Sequence, residues 1–506
     1  MGVRACLLVA ALLGSTVVGK AAVAATGQPG CITRPSHAGN VNTDCQLDGN
    51  FFETTIAVNP KDPRNLVGGV IKIGGAGGGQ GRTLVVQPRV SFDGGVTWAT
   101  TPVAFGPGTV DPSVAFDSAG TAYLTGTSDG DIVVARSTDG GRTWSGPVVV
   151  AAGSLGDQGG VFNDHPQLTA WGEGHVLVTW IREAFDSDSN LVSAPVYDSA
   201  SHDRGSTWSR PGNISGSAPF CTGRGGGTAC DQTFGNAVAY SRAGAVVTFQ
   251  QTSEEAPDAG AALGRNRYLA VAVDPLSGIR VRGPYLIGQA YDGIIEHDYP
   301  VNRGGGQTVH DSQFGLDGMG NVAADPTDRS GRHFAVVWTD DRNAPHPVDP
   351  DPYQATTDAD IIVSETRDGG RTWTPPSAIR VPNDQFMPWS AYDARGALRV
   401  GFFDRSYDPS NHKYGYTLAT EVAPGSLTFS MTQVTTALSD PTRDNTASRG
   451  TVNPAFPNPA VSIGDYTAVA AGPTFIATLW TDLRETGCVS GRCGFRQDAY
   501  FASVAF

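Results

Sequence analysis

One eight-residue pattern constrains this chain more than any other feature. Ser91-Phe92-Asp93-Gly94-Gly95-Val96-Thr97-Trp98 returns as Ser137-Thr138-Asp139-Gly140-Gly141-Arg142-Thr143-Trp144, then as Ser201-His202-Asp203-Arg204-Gly205-Ser206-Thr207-Trp208, and again as Thr366-Arg367-Asp368-Gly369-Gly370-Arg371-Thr372-Trp373. The shared pattern S/T-x-D-x-G-x-T-W describes a tight β-turn. The Asp accepts bonds from turn amides, the Gly takes a positive φ, and the Trp plugs the turn onto a sheet. Asp93, Trp98, Asp139, Trp144, Asp203, Trp208, Asp368 and Trp373 are therefore read as structural, with no catalytic role.

Each copy closes a unit of short strands. Around the second copy, residues 113–116, 122–125 and 132–137 read as strands, and Asp117-Ser118-Ala119-Gly120 as the first hairpin turn. The same order can be followed where the Asp turn is missing, as in the fourth unit. First strands are expected at 54–58, 113–116, 166–170, 237–240, 321–324, 389–392 and 467–471. Second strands are expected at 66–70, 122–125, 176–180, 245–250, 333–338, 398–403 and 475–480. Repeated units of three or four strands mean an all-β β-propeller, with seven blades expected and six as the alternative. The 65 Gly and 33 Pro suit a turn-rich chain, and no long apolar helical stripe is present.

Residues 1–24 read as an export signal, with Arg4, an apolar stretch over 7–18 and Ala22-Val23-Ala24 as a small-x-small cleavage site. That stretch is too short to span a bilayer as a helix, so a secreted, extracellular protein that does not cross the membrane is expected. Residues 25–50 read as an N-terminal extension and 51–506 as the propeller. Outside the signal, Cys31, Cys45, Cys221, Cys230, Cys488 and Cys493 fall into three local pairs; nearest-neighbour disulfides are expected in an oxidising compartment, although spacing alone leaves 15 connectivities. A net charge of −14 and the lack of a basic run exclude phosphate-gripping nucleic-acid binding.

Two sets of residues are expected at one mouth of the channel, on the face away from the Asp turns. One set ends the second strands: Arg182 in Trp180-Ile181-Arg182, Arg342 in Trp338-Thr339-Asp340-Asp341-Arg342, Arg405 in Phe403-Asp404-Arg405 and Arg484 in Trp480-Thr481-Asp482-Leu483-Arg484. The other starts the first strands: Glu53, Asp111, Asp164, His165, Asp231, Asp465 and Tyr466. Two readings stay open. The Arg–Asp pairs bridge adjacent blades, or several Arg groups converge on an anionic ligand such as a carboxylate.

The four Asp turns resemble the Asp-boxes, or bacterial neuraminidase repeats, of sialidases and related secreted propellers. The segment Glu53-Thr54-Thr55-Ile56-Ala57-Val58-Asn59-Pro60 and the Trp-x-Asp-x-Arg stretches are similar to a bacterial secreted branch of that superfamily. The resemblance implies an exo-α-sialidase type of glycoside hydrolase acting on an anionic terminal sugar. It would hold the sugar carboxylate with arginines and use a Tyr nucleophile backed by an acid. Tyr466 stands where the family places its Tyr, with Asp465 or Glu183 as candidate base, and Arg182, Arg342, Arg405, Arg484, Asp111 and Asp164 as substrate-binding candidates. The family's Phe/Tyr-Arg-Ile-Pro motif is replaced here by Phe51-Phe52-Glu53-Thr54-Thr55-Ile56. The alternative is therefore a non-catalytic propeller that binds a glycan or a protein partner. A glycan or glycoconjugate partner and a monomeric chain are expected.

No cofactor is expected. Asp186, Asp188 and Asn190, and the group Asp349, Asp351, Asp358 and Asp360, give a weak calcium signal without a complete EF-hand pattern. His165, His297 and His310 lack zinc spacing, no G-x-S-x-G elbow is present, and the Gly-rich run 74–81 lacks a P-loop Lys.

Overall fold

The computed structural model describes residues 39–44, 49–74, 83–156, 158–252, 266–274, 279–292, 299–300, 302, 307–316, 318–344, 357–441, 463–489 and 492–506. The export signal, Cys31, Cys45, His297, Asp349 and Asp351 lie outside the described residues, as does most of the Gly-rich run.

Seven antiparallel blades form a β-propeller, each of four strands, with a fifth short strand, Leu191–Ser193, added to the third blade. Their innermost strands are Gly49–Val58, Thr109–Phe116, Gly160–Trp171, Thr233–Ser241, Asn321–Ala324, Gln385–Tyr392 and Ala468–Ala471. The second strands are Leu66–Gly74, Ala122–Ser128, His175–Phe185, Gly244–Gln251, Phe334–Asp340, Leu398–Asp404 and Phe475–Asp482. Each innermost strand packs against the next, and the seventh packs against the first. The six-blade alternative falls away. An apolar cluster fills the seam between each pair of neighbouring blades, as expected for sheets buried on both faces. Among the described residues no helix is long and apolar enough to cross a membrane.

The four repeated turns share two carboxylate hydrogen bonds, and three of them also share an indole bond to the turn Gly carbonyl, which Trp144 replaces with a bond to Thr101 Oγ1. In the first, Asp93 Oδ1 accepts the Thr97 amide at 2.9 Å, Asp93 Oδ2 accepts the Thr97 hydroxyl at 2.6 Å, and Trp98 Nε1 donates to the Gly95 carbonyl at 3.0 Å. Asp139, Asp203 and Asp368 repeat the two carboxylate bonds. These bonds hold the four carboxyls below the usual carboxylate range, Asp203 at about 2. Gly95, at φ +89°, has no room for a Cβ, which would run into the Phe501 ring. Trp98 lies beside that ring, 5.0 Å between centroids, so the turn plugs the seam to the preceding blade.

Residues Val41–Asn42, expected in the extension, form the outer strand of the seventh blade and pair with Asp498–Ala505. Ring closure is therefore made by the two ends of the chain. A buried charge network lies at this junction. Arg89, on the third strand of blade 1, donates from Nε and Nη2 to Asp44 Oδ1 at 2.8 and 2.5 Å, and Asp44 Oδ2 accepts the Ala499 amide. Arg496 Nη2 donates to both oxygens of Asp498 at 2.7 Å. Arg89, Asp44 and Asp498 have almost no solvent contact.

Cys221–Cys230 and Cys488–Cys493 form disulfides, the nearest-neighbour pairing expected for these two pairs. The second closes the hairpin Thr486–Val489 and Arg492–Phe495 that leaves the last blade. Both staple loops rather than blades.

The seam between blades 3 and 4 carries a buried acid. Asp198 pairs with Thr179 across the sheet, between Val196 and Ala200 on one strand face. Among the described residues neither of its oxygens has a hydrogen-bond partner, and burial pushes the carboxyl up to about 8. The folded state keeps the proton that the unfolded chain releases near pH 4, so stability falls as pH rises from about 4 to about 8. Asp198→Asn is expected to stabilise the protein by up to roughly 4 kcal/mol at pH 7 and by almost nothing at pH 4. Urea unfolding at the two pH values checks this; an equal effect at both would remove ionisation as the cause.

Candidate functional site

The strand registers separate the two faces of the ring. In blade 1, Gly49, Gly74 and Thr83 lie at one end, whereas Val58, Leu66 and Ser91 lie at the other, next to the Asp turn. The starts of the innermost strands therefore form a rim opposite the repeated turns.

At this rim the innermost strands share a β-bulge. The register shifts between Phe52 and Thr55, Val110 and Ser113, Asp164 and Gln167, Phe234 and Asn236, and Phe386 and Trp389. Within each bulge one residue is left-handed: Glu53 at φ 52°, Asp111 at 55°, His165 at 47°, Gly235 at 61° and Met387 at 51°. Gly464, at 88°, precedes the seventh innermost strand. Four of these residues carry a Cβ, and such strain in a repeated position is characteristic of sites where side chains must be re-aimed.

The bulges of blades 1, 2 and 3 and the segment before blade 7 bring Glu53, Asp111, Asp164, His165, Asp465 and Tyr466 together. His165 Nδ1 is 3.9 Å from Asp111 Oδ1, and its Nε2 is 3.6 Å from Asp164 Oδ2. Burial pushes the Glu53 carboxyl well above the usual carboxylate range, reinforced by Asp465, Asp111 and Asp164. Burial likewise pushes Asp111 up to about 8; His165 opposes the shift, and Asp164 and Asp465 add to it. Such a cluster holds protons at neutral pH and can both give and take them. The Tyr466 hydroxyl donates to the Pro112 carbonyl at 3.2 Å. Its own titration is pushed up by burial and then by Glu53, Asp111, Asp465 and Asp164. Asp164 is the open member, its side chain 23% exposed, whereas Glu53, Asp111, His165 and Tyr466 are buried.

Aromatic rings flank the acids. Trp389, from blade 6, lies 5.9 Å from the Tyr466 ring, and Phe234, from blade 4, meets His165 edge-on at 5.7 Å. Both are half-buried. Sequence reading placed Glu53 and His165 at the rim but gave Trp389 and Phe234 no role; their position beside the bulge was the available signal.

The arginines lie elsewhere. Trp338-Thr339-Asp340-Asp341-Arg342 and Trp480-Thr481-Asp482-Leu483-Arg484 share one register. The indole donates to the acid two residues on, at 3.0 Å in both, and the guanidinium grips the same acid. Arg342 bonds Asp340 at 2.8 and 2.6 Å and also reaches the Gln289 carbonyl of blade 4. Arg484 bonds Asp482 at 2.9 and 2.7 Å and reaches Thr435 and Thr436 after blade 6. Arg405 follows its strand-end acid directly, turns inward and is fully buried. It donates to Asp384 at 3.2 Å, to the carbonyls of His310 and Asn411, and to Ser312. Arg182 stands opposite Asn163, the neighbour of Asp164, with its guanidinium 5.4 Å from the Tyr197 ring centroid. Arg342, Arg405 and Arg484 are bridges within and between seams.

Glu183 is half-buried on the second strand of blade 3, opposite Phe162. Asp231 accepts the Arg224 amide in the disulfide loop. Asp186 turns back on its own loop, accepting the amides of Asp188 and Asn190 at 2.9 Å. Asp360 accepts Asn343, and Asp358 is half-buried. Among the described residues no three His, Cys, Asp or Glu are arranged to hold a metal ion.

No family model matches the chain, and no curated protein does. Solved structures do. The chain is similar to the α-L-arabinofuranosidase of Fusarium graminearum, at 13% identity over 78% of this chain and 93% of that one, with a TM-score of 0.39. It is similar to an ulvan lyase of a polysaccharide lyase family, at 12% identity over 76% and 80%, with a TM-score of 0.43. It is similar to a Hadza microbial sialidase, at 16% identity over 70% and 63%, with a TM-score of 0.38.

Proposed function

We propose that this chain is a carbohydrate-active propeller that cleaves a glycosidic bond at the rim opposite the Asp turns. One observation carries the reading: bulges from separate blades gather a tyrosine and four carboxyls at a single point of the ring. The finer form, an exo-α-sialidase type of reaction in a secreted protein, rests on the resemblance of the repeated turns. In it the Tyr466 oxygen attacks the anomeric carbon and its proton passes to Asp465, since Glu53 already holds one. The glycosidic C–O bond breaks, and the leaving oxygen takes a proton from the string Asp111–His165–Asp164 through Asp164, the open member. Water then hydrolyses the tyrosyl glycoside; it gives its proton to that string, and Asp465 returns the proton it took to Tyr466. The transition state is oxocarbenium-like, with the carboxyl cluster beside it.

The test is turnover of a fluorogenic glycoside panel by the purified chain. Activity is expected to drop at least about 10³-fold in Tyr466→Phe while the melting temperature stays put. No hydrolysis of any glycoside by the parent protein would overturn the catalytic reading. A second reading, a non-catalytic glycan binder, is favoured by the deep burial of Tyr466 and by its existing bond to Pro112. It predicts saturable glycan binding without turnover.

A further inference from the structure

The chemical class of the sugar follows from where the charges of this face are held. An acidic sugar needs guanidinium groups that are free and mutually close. Arg342 and Arg484 each grip the carboxylate two residues before them, at different seams. Arg405 is fully buried, with its donors on Asp384, on two carbonyls and on Ser312. Arg182 shares its strand face with Asn163 and Trp180, whereas the opposite residue of Asp164 is Ile181, on the other face of that strand. The point itself is lined by Glu53, Asp111, Asp164 and Asp465. Its imidazole, His165, is bracketed by Asp111 and Asp164. Among the described residues an incoming carboxylate or sulfate would therefore meet four carboxyls without a guanidinium beside them, and an anion with no cationic partner is costly to bury in a low-dielectric site.

What the point does offer is acceptors and ring faces. Glu53 Oε2 is buried and, among the described residues, has no hydrogen-bond partner. A sugar hydroxyl is a donor of suitable size for such an oxygen. Trp389 and Phe234 stand on opposite flanks, one beside Tyr466 and one beside His165, both reaching solvent in part. Sugar rings present C–H faces that pack on aromatic faces and hydroxyls that bond carboxyls.

We propose that the rim site accepts a sugar without an acidic group, which bonds Glu53 and Asp164 through its hydroxyls and packs on Trp389 and Phe234. The proposal rests on the reading of the rim as a glycan site and replaces the anionic sugar implied by the resemblance.

The experiment pairs neutral fluorogenic glycosides (arabinofuranoside, galactopyranoside, fucopyranoside) with acidic ones (N-acetylneuraminide, glucuronide). Turnover is measured, and binding is measured by calorimetry with the matching methyl glycosides. The best neutral sugar is expected to exceed every acidic one at least tenfold in kcat/KM or in affinity. Trp389→Ala and, separately, Phe234→Leu are expected to weaken neutral-sugar binding at least tenfold with an unchanged melting temperature. Should Trp389→Ala fail to fold, Trp389→Phe and Phe234→Leu carry the measurement. Preference for an acidic sugar, or neutral-sugar binding untouched by both ring substitutions, overturns the inference while leaving a glycan site in place. Absence of both turnover and binding across the whole panel overturns the proposed function, and the inference falls with it.

Discussion

Arg89→Met is expected to lower the unfolding free energy by about 3–5 kcal/mol, the usual cost of removing one partner of a buried ion pair. Arg89 is the cation that holds Asp44, and Asp44 in turn holds the amide of Ala499 on the last blade. Without the guanidinium, two acids that weigh on each other, Asp44 and Asp498, share Arg496 alone. The loss acts at the one junction that joins the two ends of the chain, so thermal unfolding reports it as a fall of several degrees. Arg89→Met combined with Asp44→Leu is expected to recover part of the loss, because no bare charge is then left inside. A melting temperature unchanged in the single variant would mean that the outer strand contributes little to closure.

Asp111→Asn is expected to have opposite effects on activity and stability. Activity on a glycoside falls about 10²–10⁴-fold, the range typical for loss of an acid or base from proton transfer. Stability at neutral pH rises, because Asp111 keeps its proton in the fold up to about pH 8 whereas the unfolded chain loses it near pH 4. As pH climbs from about 4 to about 8 the parent protein loses stability, and the variant, which keeps the contributions of Asp198 and Glu53, loses less. The parent's activity should also decline as pH passes about 8, when the cluster gives up its proton. Rate–pH profiles and melting curves of both proteins check the pair of effects. A variant that keeps full activity would remove Asp111 from the chemistry, and one that melts lower would show the acid to be a structural anchor. A site that is improved in stability by losing its acid is one in which function has been kept against stability.

Much of the architecture can be read from the chain because it is repeated. The octapeptide turns and the spacing of the inner strands place the blades, and the observed inner strands contain the expected segments almost throughout. The outer strand Val41–Asn42 escapes such a reading. It is two residues long, belongs to no repeat, and gains its place only from the register of Asp498–Ala505. At the rim, Asp111, Asp164, Asp465 and Tyr466 are legible as residues that begin inner strands. The bulge that aims them is not, because Glu53, Asp111, His165 and Met387 take a left-handed conformation that sequence reserves for glycine. Gly235 and Gly464 are the only residues of the series that announce it. The arginines show the converse. Aromatic and Arg occur close together in four places, three of them with an acid between: Arg342 and Arg484 sit two residues after their acid, Arg405 one, and Arg182 has none in its segment. One residue of offset redirects a side chain to another face, so a shared spelling becomes several geometries.

The strand that completes the seventh blade has a kinetic consequence. Thr43 bonds Ala499 across 456 residues of chain, so its partner is made only after the six blades between them. Blades 1 to 6 can stack as they emerge, each on its predecessor, but the open stack keeps two raw edges until the last residues arrive. A nascent chain halted before Asp498 would lack the strand Asp498–Ala505, and the waiting strand Val41–Asn42 would be free to pair with the edge of another molecule.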